Sequence, residues 1–222
     1  MTTILYCSSN REKPDFESRI IENLLSVSED IPIVSVTQIP MQLGRNICVG
    51  KVGASGFNYF KQILTGLRVI NSQFVIMAES DCLYPKGYFD FIPEHDDICY
   101  RATQVYVMPD ARDYFFHKVE GSTLGQIVGR DFYLETMEKL FEGAPEWSIE
   151  EKNFPKERHK QVDIFTHIER WTPPAPLVTF KTHRGLRYYT HSERTPIPEI
   201  PYWGNGKSLR AYYFHGVKDA TI

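Results

Sequence analysis

Two acids spaced by one residue, Glu79 and Asp81, close the apolar run Phe74, Val75, Ile76, Met77, Ala78. In a strand, successive side chains point to opposite faces, so the two carboxylates share a face and project together. Like charges brought close repel and raise a pKa unless a cation lies between them. A divalent ion resolves that conflict: hard oxygen ligands suit Mg2+ or Mn2+, which keep several waters and use substrate phosphates for the remaining positions. The competing reading is a polar exit from a strand, since Cys-Leu-Tyr-Pro follows. The neighbouring elements have to choose between them.

An apolar run without polar alternation is expected of a central strand covered on both faces. Upstream, Thr3 to Cys7 reads as a strand ending in Ser8, Ser9 and Asn10, which can hydrogen-bond a base or ribose. A helical pattern follows in Phe16, Ile20, Leu24 and Val27, then a second strand in "IPIVSVTQ". This β-α-β order opens a doubly wound sheet with a right-handed crossover. "SGFNYFKQILTGLRVINS" is a second amphipathic helix with Ser55 as its N-cap, and it feeds the run that ends at Glu79. The acids therefore follow the third strand of the set, at the carboxyl edge where open α/β sheets bind ligands.

"GRNICVGKVGASG" invites a phosphate-loop reading and fails it. Five residues rather than four separate Gly44 from Gly50, and Val52 follows Lys51 where Ser or Thr belongs. A glycine-rich connection can still place Lys51 near an anion. After Tyr100, "DICYRATQVYVM" reads as one strand, and "DFYLETMEKLFEG" as a helix with Asp131 at its N-cap. From Ala144 the chain is Pro-rich and irregular, with one strand, "PLVTFKT".

The chain has 222 residues, enough for one domain with a sizeable core. It reads as one domain with an elaborated C-terminal part. Cysteines at 7, 48, 82 and 99 form no CxxC pair and no metal-ligand spacing, so nothing supports a disulfide framework or a zinc site. No apolar run approaches a membrane span and the first residues form no leader, so a cytoplasmic protein is expected. Residues 1–150 carry 13 basic against 21 acidic residues, a balance of -8, while 151–222 carry 12 against 7, a balance of +5. The basic part also holds five of the seven histidines, interleaved with Trp and Tyr, and suits an anionic partner. A solvated basic face is the alternative.

These pieces together, "CSSN" after the first strand, a Gly/Lys loop with a long helix, and "ESD" after a buried strand, resemble the nucleotide-binding half of a glycosyltransferase with the type A fold. The resemblance implies a GT-A-like mixed sheet, a DxD-type motif with Glu79 in first position, and a division of the one domain into a nucleotide-sugar-binding half over 1–100 and an acceptor-binding half over 101–222 that completes the metal and diphosphate site. By it, Asp81 contacts a divalent ion (Mn2+ or Mg2+) bridging the diphosphate of a nucleoside diphosphate sugar, and Glu79 reaches the ion through water or the ribose. In such enzymes a histidine completes the metal shell and basic residues clamp the diphosphate. "TFKTHRGLRYYTHSER" offers His183, then His191, as ligands, and Lys181 and Arg184 as clamps. An inverting transfer also needs a base, for which Asp131 is the candidate, beside Glu150 and Glu151. The basic aromatic tail is similar to that of compact phage and bacterial enzymes that glycosylate intracellular acceptors, hydroxylated DNA bases among them; a saccharide acceptor fits the same aromatics. A nucleotidyltransferase and a non-catalytic binding module are the other classes. The first strand is followed by Ser8-Ser9-Asn10-Arg11 rather than a GxGxR loop, which favours sugar transfer.

Overall fold

The computed structural model describes residues 1–118, 123–150, 153, 163–186 and 192–216. Its centre is a pair of parallel strands, β1 (Thr2–Ser8) and β4 (Phe74–Glu79), in register from Thr2 opposite Phe74 to Cys7 opposite Glu79. Both are buried on both faces, the reason for their unbroken apolar runs. Leu5, Cys7, Val75 and Met77 pack under helix α2 (Gly56–Leu67) and against Tyr133 and Met137 of α3 (Arg130–Leu140). Ile4, Tyr6, Ile76 and Ala78 face the other way, towards Leu24 of α1 (Pro14–Ser28).

β2 (Ile33–Thr37) and β3 (Arg45–Cys48) extend the parallel side beyond β1. On the far side of β4 comes β9 (Gln126–Gly129), antiparallel, then β6 (Cys99–Ala102) and β10 (Ile168–Trp171). The seven strands run β10-β6-β9-β4-β1-β2-β3, a mixed α/β sheet as expected. A second sheet, in the order β5 (Cys82–Leu83), β11 (Leu177–Lys181), β7 (Val105–Pro109) and β8 (Phe116–His117), closes a third core. That core takes Phe16 and Ile20 from α1 and Leu209 and Tyr213 from α4 (Gly206–His215). A short pair, β12 (Glu199–Ile200) and β13 (Gly204–Asn205), precedes α4.

Five sequence expectations change. The Pro-rich part from Ala144, read as irregular with one strand, holds β10, β12, β13 and the helix α4 besides β11, elements too short or too weakly apolar to show a period. The segment taken as a glycine-rich connection contains β3, a half-exposed edge strand whose pattern is too short and polar to show alternation. The acids consequently end the fourth strand, not the third. The single strand expected across 97–108 is two, β6 and β7, which part at Thr103 and Gln104 to join different sheets. Asp131 is not the N-cap of α3: the cap position is Gly129, which passes directly from β9 into the helix. Among the described residues no helix is long and apolar enough to cross a membrane.

Candidate active site

Parallel strands β4, β1, β2 and β3 end at one edge, where side chains tie β1 to β2 and the segment after β2 to the loops after β1 and β3. Gln62 of α2, fully buried, donates its amide to Ser8 O (2.9 Å) and Val36 O (2.8 Å), binding the tips of β1 and β2. Asn10 takes a left-handed turn (φ 53°), and its Oδ1 accepts from Gln38 N and Ile39 N, each at 2.9 Å. Ser8 Oγ accepts from Asn10 N at 2.9 Å, so the Ser8-Ser9-Asn10 loop is built into this edge. Gln38 pairs its side-chain amide with both N and O of Gly53 (3.1 and 2.9 Å), which anchors the loop carrying Lys51 beyond β3. Ser55 caps α2 as expected, accepting from Asn58 N.

The acid pair sits on this edge. Strand geometry ends at Glu79, and Ser80 and Asp81 form a turn into β5, so the turn and not the pleat brings the carboxylates together. One ligand atom each from Glu79, Asp81 and Cys82 lie within 4.8 Å of one another. Glu79 Oε1 accepts from Tyr59 OH at 2.7 Å and from Thr123 Oγ1 at 3.0 Å. Its backbone N–H donates to Tyr84 OH (3.2 Å), and that hydroxyl donates to Leu124 O (2.9 Å). Burial holds the Glu79 carboxyl above the ordinary range and Asp81 adds to it, while Tyr59, Lys181 and Thr123 pull it back.

Asp81 faces the opposite wall. Lys181 Nζ, at the end of β11, stands 3.9 Å from Asp81 Oδ2, and Phe180 N–H donates to Asp81 O at 2.8 Å. The Cys82 thiol donates to Asp81 Oδ1 at 3.2 Å. Burial pushes that thiol well up, and sulfur is a soft ligand that suits a hard cation poorly. What remains for a metal is a pair of hard carboxylates beside one ammonium, a donor set that fits Mg2+ or Mn2+ completed by phosphate oxygens.

The other expected residues divide. Arg184 reaches this edge, donating to Arg11 O at 3.1 Å. His183 is exposed and turned to Asp110, with Nε2 3.8 Å from Oδ1, and it is not in the ligand group formed by the described residues. His191 and Glu151 lie outside the described residues. Asp131 stands at the wrong end of the sheet: Arg130 N–H donates to Gln73 O, which places it at the amino end of β4. Six strand residues, about 20 Å, separate it from Glu79. Its side chain, 91% exposed, pairs with Arg130. Glu150 is exposed on the segment that crosses the start of α2. Sequence reasoning missed Tyr59 and Thr123. Only Tyr59 carried a signal, a phenol on the helix face that looks onto the sheet.

No protein-family model matches the chain, and no curated protein matches it. Among solved structures it is similar to glycosyltransferases and a nucleotidyl transferase. One is a glycosyltransferase involved in glycosylation of the major capsid of PBCV-1, at 10% identity and TM-score 0.47 over 80% of this chain and 92% of that one. Another is a nucleotidyl transferase of Methanothermobacter thermautotroptrophicus, at 12% identity and TM-score 0.44 over 79% and 88%. A third is the mannosyltransferase PcManGT of Pyrobaculum calidifontis in complex with GDP-Man and Mn2+, at 12% identity and TM-score 0.42 over 83% and 58%; the chain spans little more than half of that enzyme.

Proposed function

We propose that the chain is a metal-dependent glycosyltransferase that moves a sugar from a nucleoside diphosphate donor. One observation carries this reading: Glu79 and Asp81 converge at the carboxyl edge of β4 with Lys181 3.9 Å from Asp81, so paired acids and a cation meet where a diphosphate has to lie. Asp81 and Glu79 would hold a divalent ion, which supplies charge neutralisation to a leaving diphosphate. Lys181 and Arg184 neutralise the same group from the side of β11. Ser8, Ser9 and Asn10 receive the nucleoside, and Lys51 lies further along that edge. Tyr59 and Thr123 hold one oxygen of Glu79 and leave its other oxygen for the site.

The acceptor belongs to the same proposal. A saccharide is favoured over a hydroxylated DNA base, because Lys181 and Arg184 are used by the donor diphosphate in this reading and Arg210 pairs with Asp113.

The test is thermal stabilisation by a panel of nucleotide sugars with and without Mn2+, a ligand at 100 times its Kd adding about 2.7 kcal/mol. A nucleotide sugar is expected to stabilise the wild type only when Mn2+ is present, and Asp81→Asn is expected to lose that effect while still folding. Stabilisation by nucleoside triphosphates alone would turn the reading to nucleotidyl transfer. A metal-independent response equal in both proteins would remove the metal site.

A further inference from the structure

Glu12 lies in the loop between β1 and α1 and has no part in the site as described above. The residue is 8% exposed, and its Oε1 takes the hydroxyl proton of Thr182 at 2.6 Å. The same Thr182 hydroxyl accepts from Arg184 N (3.2 Å) and Gly185 N (3.0 Å), so one donated and two accepted bonds fill its capacity. Arg184 returns the tie by donating to Arg11 O at 3.1 Å. Two bonds that span 170 and 173 positions of chain thus clasp the turn after β11 onto the loop after β1. That turn begins at Lys181, beside Asp81. Burial, with Asp81 and Glu17 nearby, holds the Glu12 carboxyl above the ordinary carboxylate range. An acid kept in such surroundings costs stability, and what it returns here is an ordered turn.

We propose that Glu12 is a positioning residue: through Thr182 it fixes the turn carrying Lys181 and Arg184, and thereby sets the site's affinity for the second phosphate of a diphosphate. The role rests on the metal and diphosphate reading of the site. It needs a hydrogen-bond acceptor at position 12, not a charge. Glu12→Gln keeps an acceptor for the Thr182 hydroxyl, and Glu12→Ala does not.

The experiment measures binding of inorganic pyrophosphate and of inorganic phosphate to the full chain with Mn2+ by calorimetry, together with amide exchange at Arg184 and Gly185. Glu12→Ala and Thr182→Val are each expected to weaken pyrophosphate by about tenfold, the upper value of one ordinary hydrogen bond, with phosphate little changed and both amides exchanging faster. Glu12→Gln and Thr182→Ser are expected to restore pyrophosphate affinity and protection. Wild-type affinity in Glu12→Ala and Thr182→Val, or loss in Glu12→Gln equal to that in Glu12→Ala, overturns the role of Glu12 while leaving the site reading intact. A folded wild type that binds neither anion with Mn2+ overturns the site reading itself, and the role with it.

Discussion

Each acid at the candidate site is held by partners of a different kind, and this decides what a substitution does. Glu79 receives two hydroxyl protons on one oxygen, from Tyr59 and Thr123, which orients the carboxylate and resists the rise caused by burial and Asp81. Groups that orient a ligand carboxylate are typically worth about 10- to 100-fold in metal affinity. Tyr59→Phe, which removes only the hydroxyl, is therefore expected to weaken Mn2+ binding within that range, as read by metal titration of donor stabilisation; an unchanged titration would mean that Thr123 suffices. Glu12 makes a separate prediction through pH. Its carboxyl pKa is raised from the ordinary 4.5, so the fold favours the protonated form. Between the ordinary value and the raised one the folded state binds more protons than the unfolded chain, and stability falls as pH rises through that window. Glu12→Gln cannot ionise and keeps the Thr182 contact. It is expected to melt higher than wild type at about pH 8 and to lose that advantage at about pH 4. Equal differences at both values would show that ionisation of Glu12 costs nothing.

At the level of elements, the site is held by helix starts and strand ends rather than by free loops. α2 places Tyr59 over the sheet because its first turn is secured twice: Ser55 caps it, and the buried Asn58 amide donates to Val52 O and Gly53 O while its oxygen accepts from Ser148 N. β9 lies directly against β4 and opens into α3 at Gly129, with Gly129 opposite Phe74. A Cβ there would sit 1.9 Å from Asp96 O, a backbone atom with no room to yield. Gly129→Ala is expected to destabilise the chain by about 1–3 kcal/mol, the range for overpacking, measured by denaturant unfolding. A cost below that range would mean that the 96–98 segment moves aside. This constraint was not legible in the sequence. A glycine before "RDFYLE" looks like a loop residue, and only the approach of a distant segment makes it obligatory.

The whole molecule carries a net charge of -3, with its basic excess confined to the last third. Such an excess can serve a polyanion or a single diphosphate, and the two differ in salt response. A protein neutralising duplex phosphates loses log K by about 0.9 per phosphate contact for each decade of salt. With Lys181 and Arg184 used by the diphosphate in the proposed reading and Arg210 paired with Asp113, acceptor binding is expected to depend on salt less than two such contacts require. A steep slope on hydroxymethylated duplex DNA, and none on saccharides, would reverse the preference for a saccharide. The measurement is acceptor binding across a salt series with the donor site saturated.

By itself the sequence determined the elements that lead to the acids, β3 excepted, and the placement of the acids. β1, α1, β2, α2 and β4 were legible because an apolar run, a 3.6-residue period and a capping serine are properties of neighbouring residues. Glu79 and Asp81 were legible for the same reason, since a buried strand that ends in two carboxylates signals its carboxyl edge locally. Tertiary structure decided what those carboxylates meet. Tyr59 lies 20 positions from Glu79 and Thr123 lies 44, while Thr182 lies 170 from Glu12, and no period or motif links residues so far apart. Strand order links them: β4 lies between β1 and β9, and β11 pairs with the β5 strand that directly follows Asp81. The same order removed Asp131 from the site, because a helix that leaves an antiparallel neighbour of β4 starts at the opposite edge of the sheet.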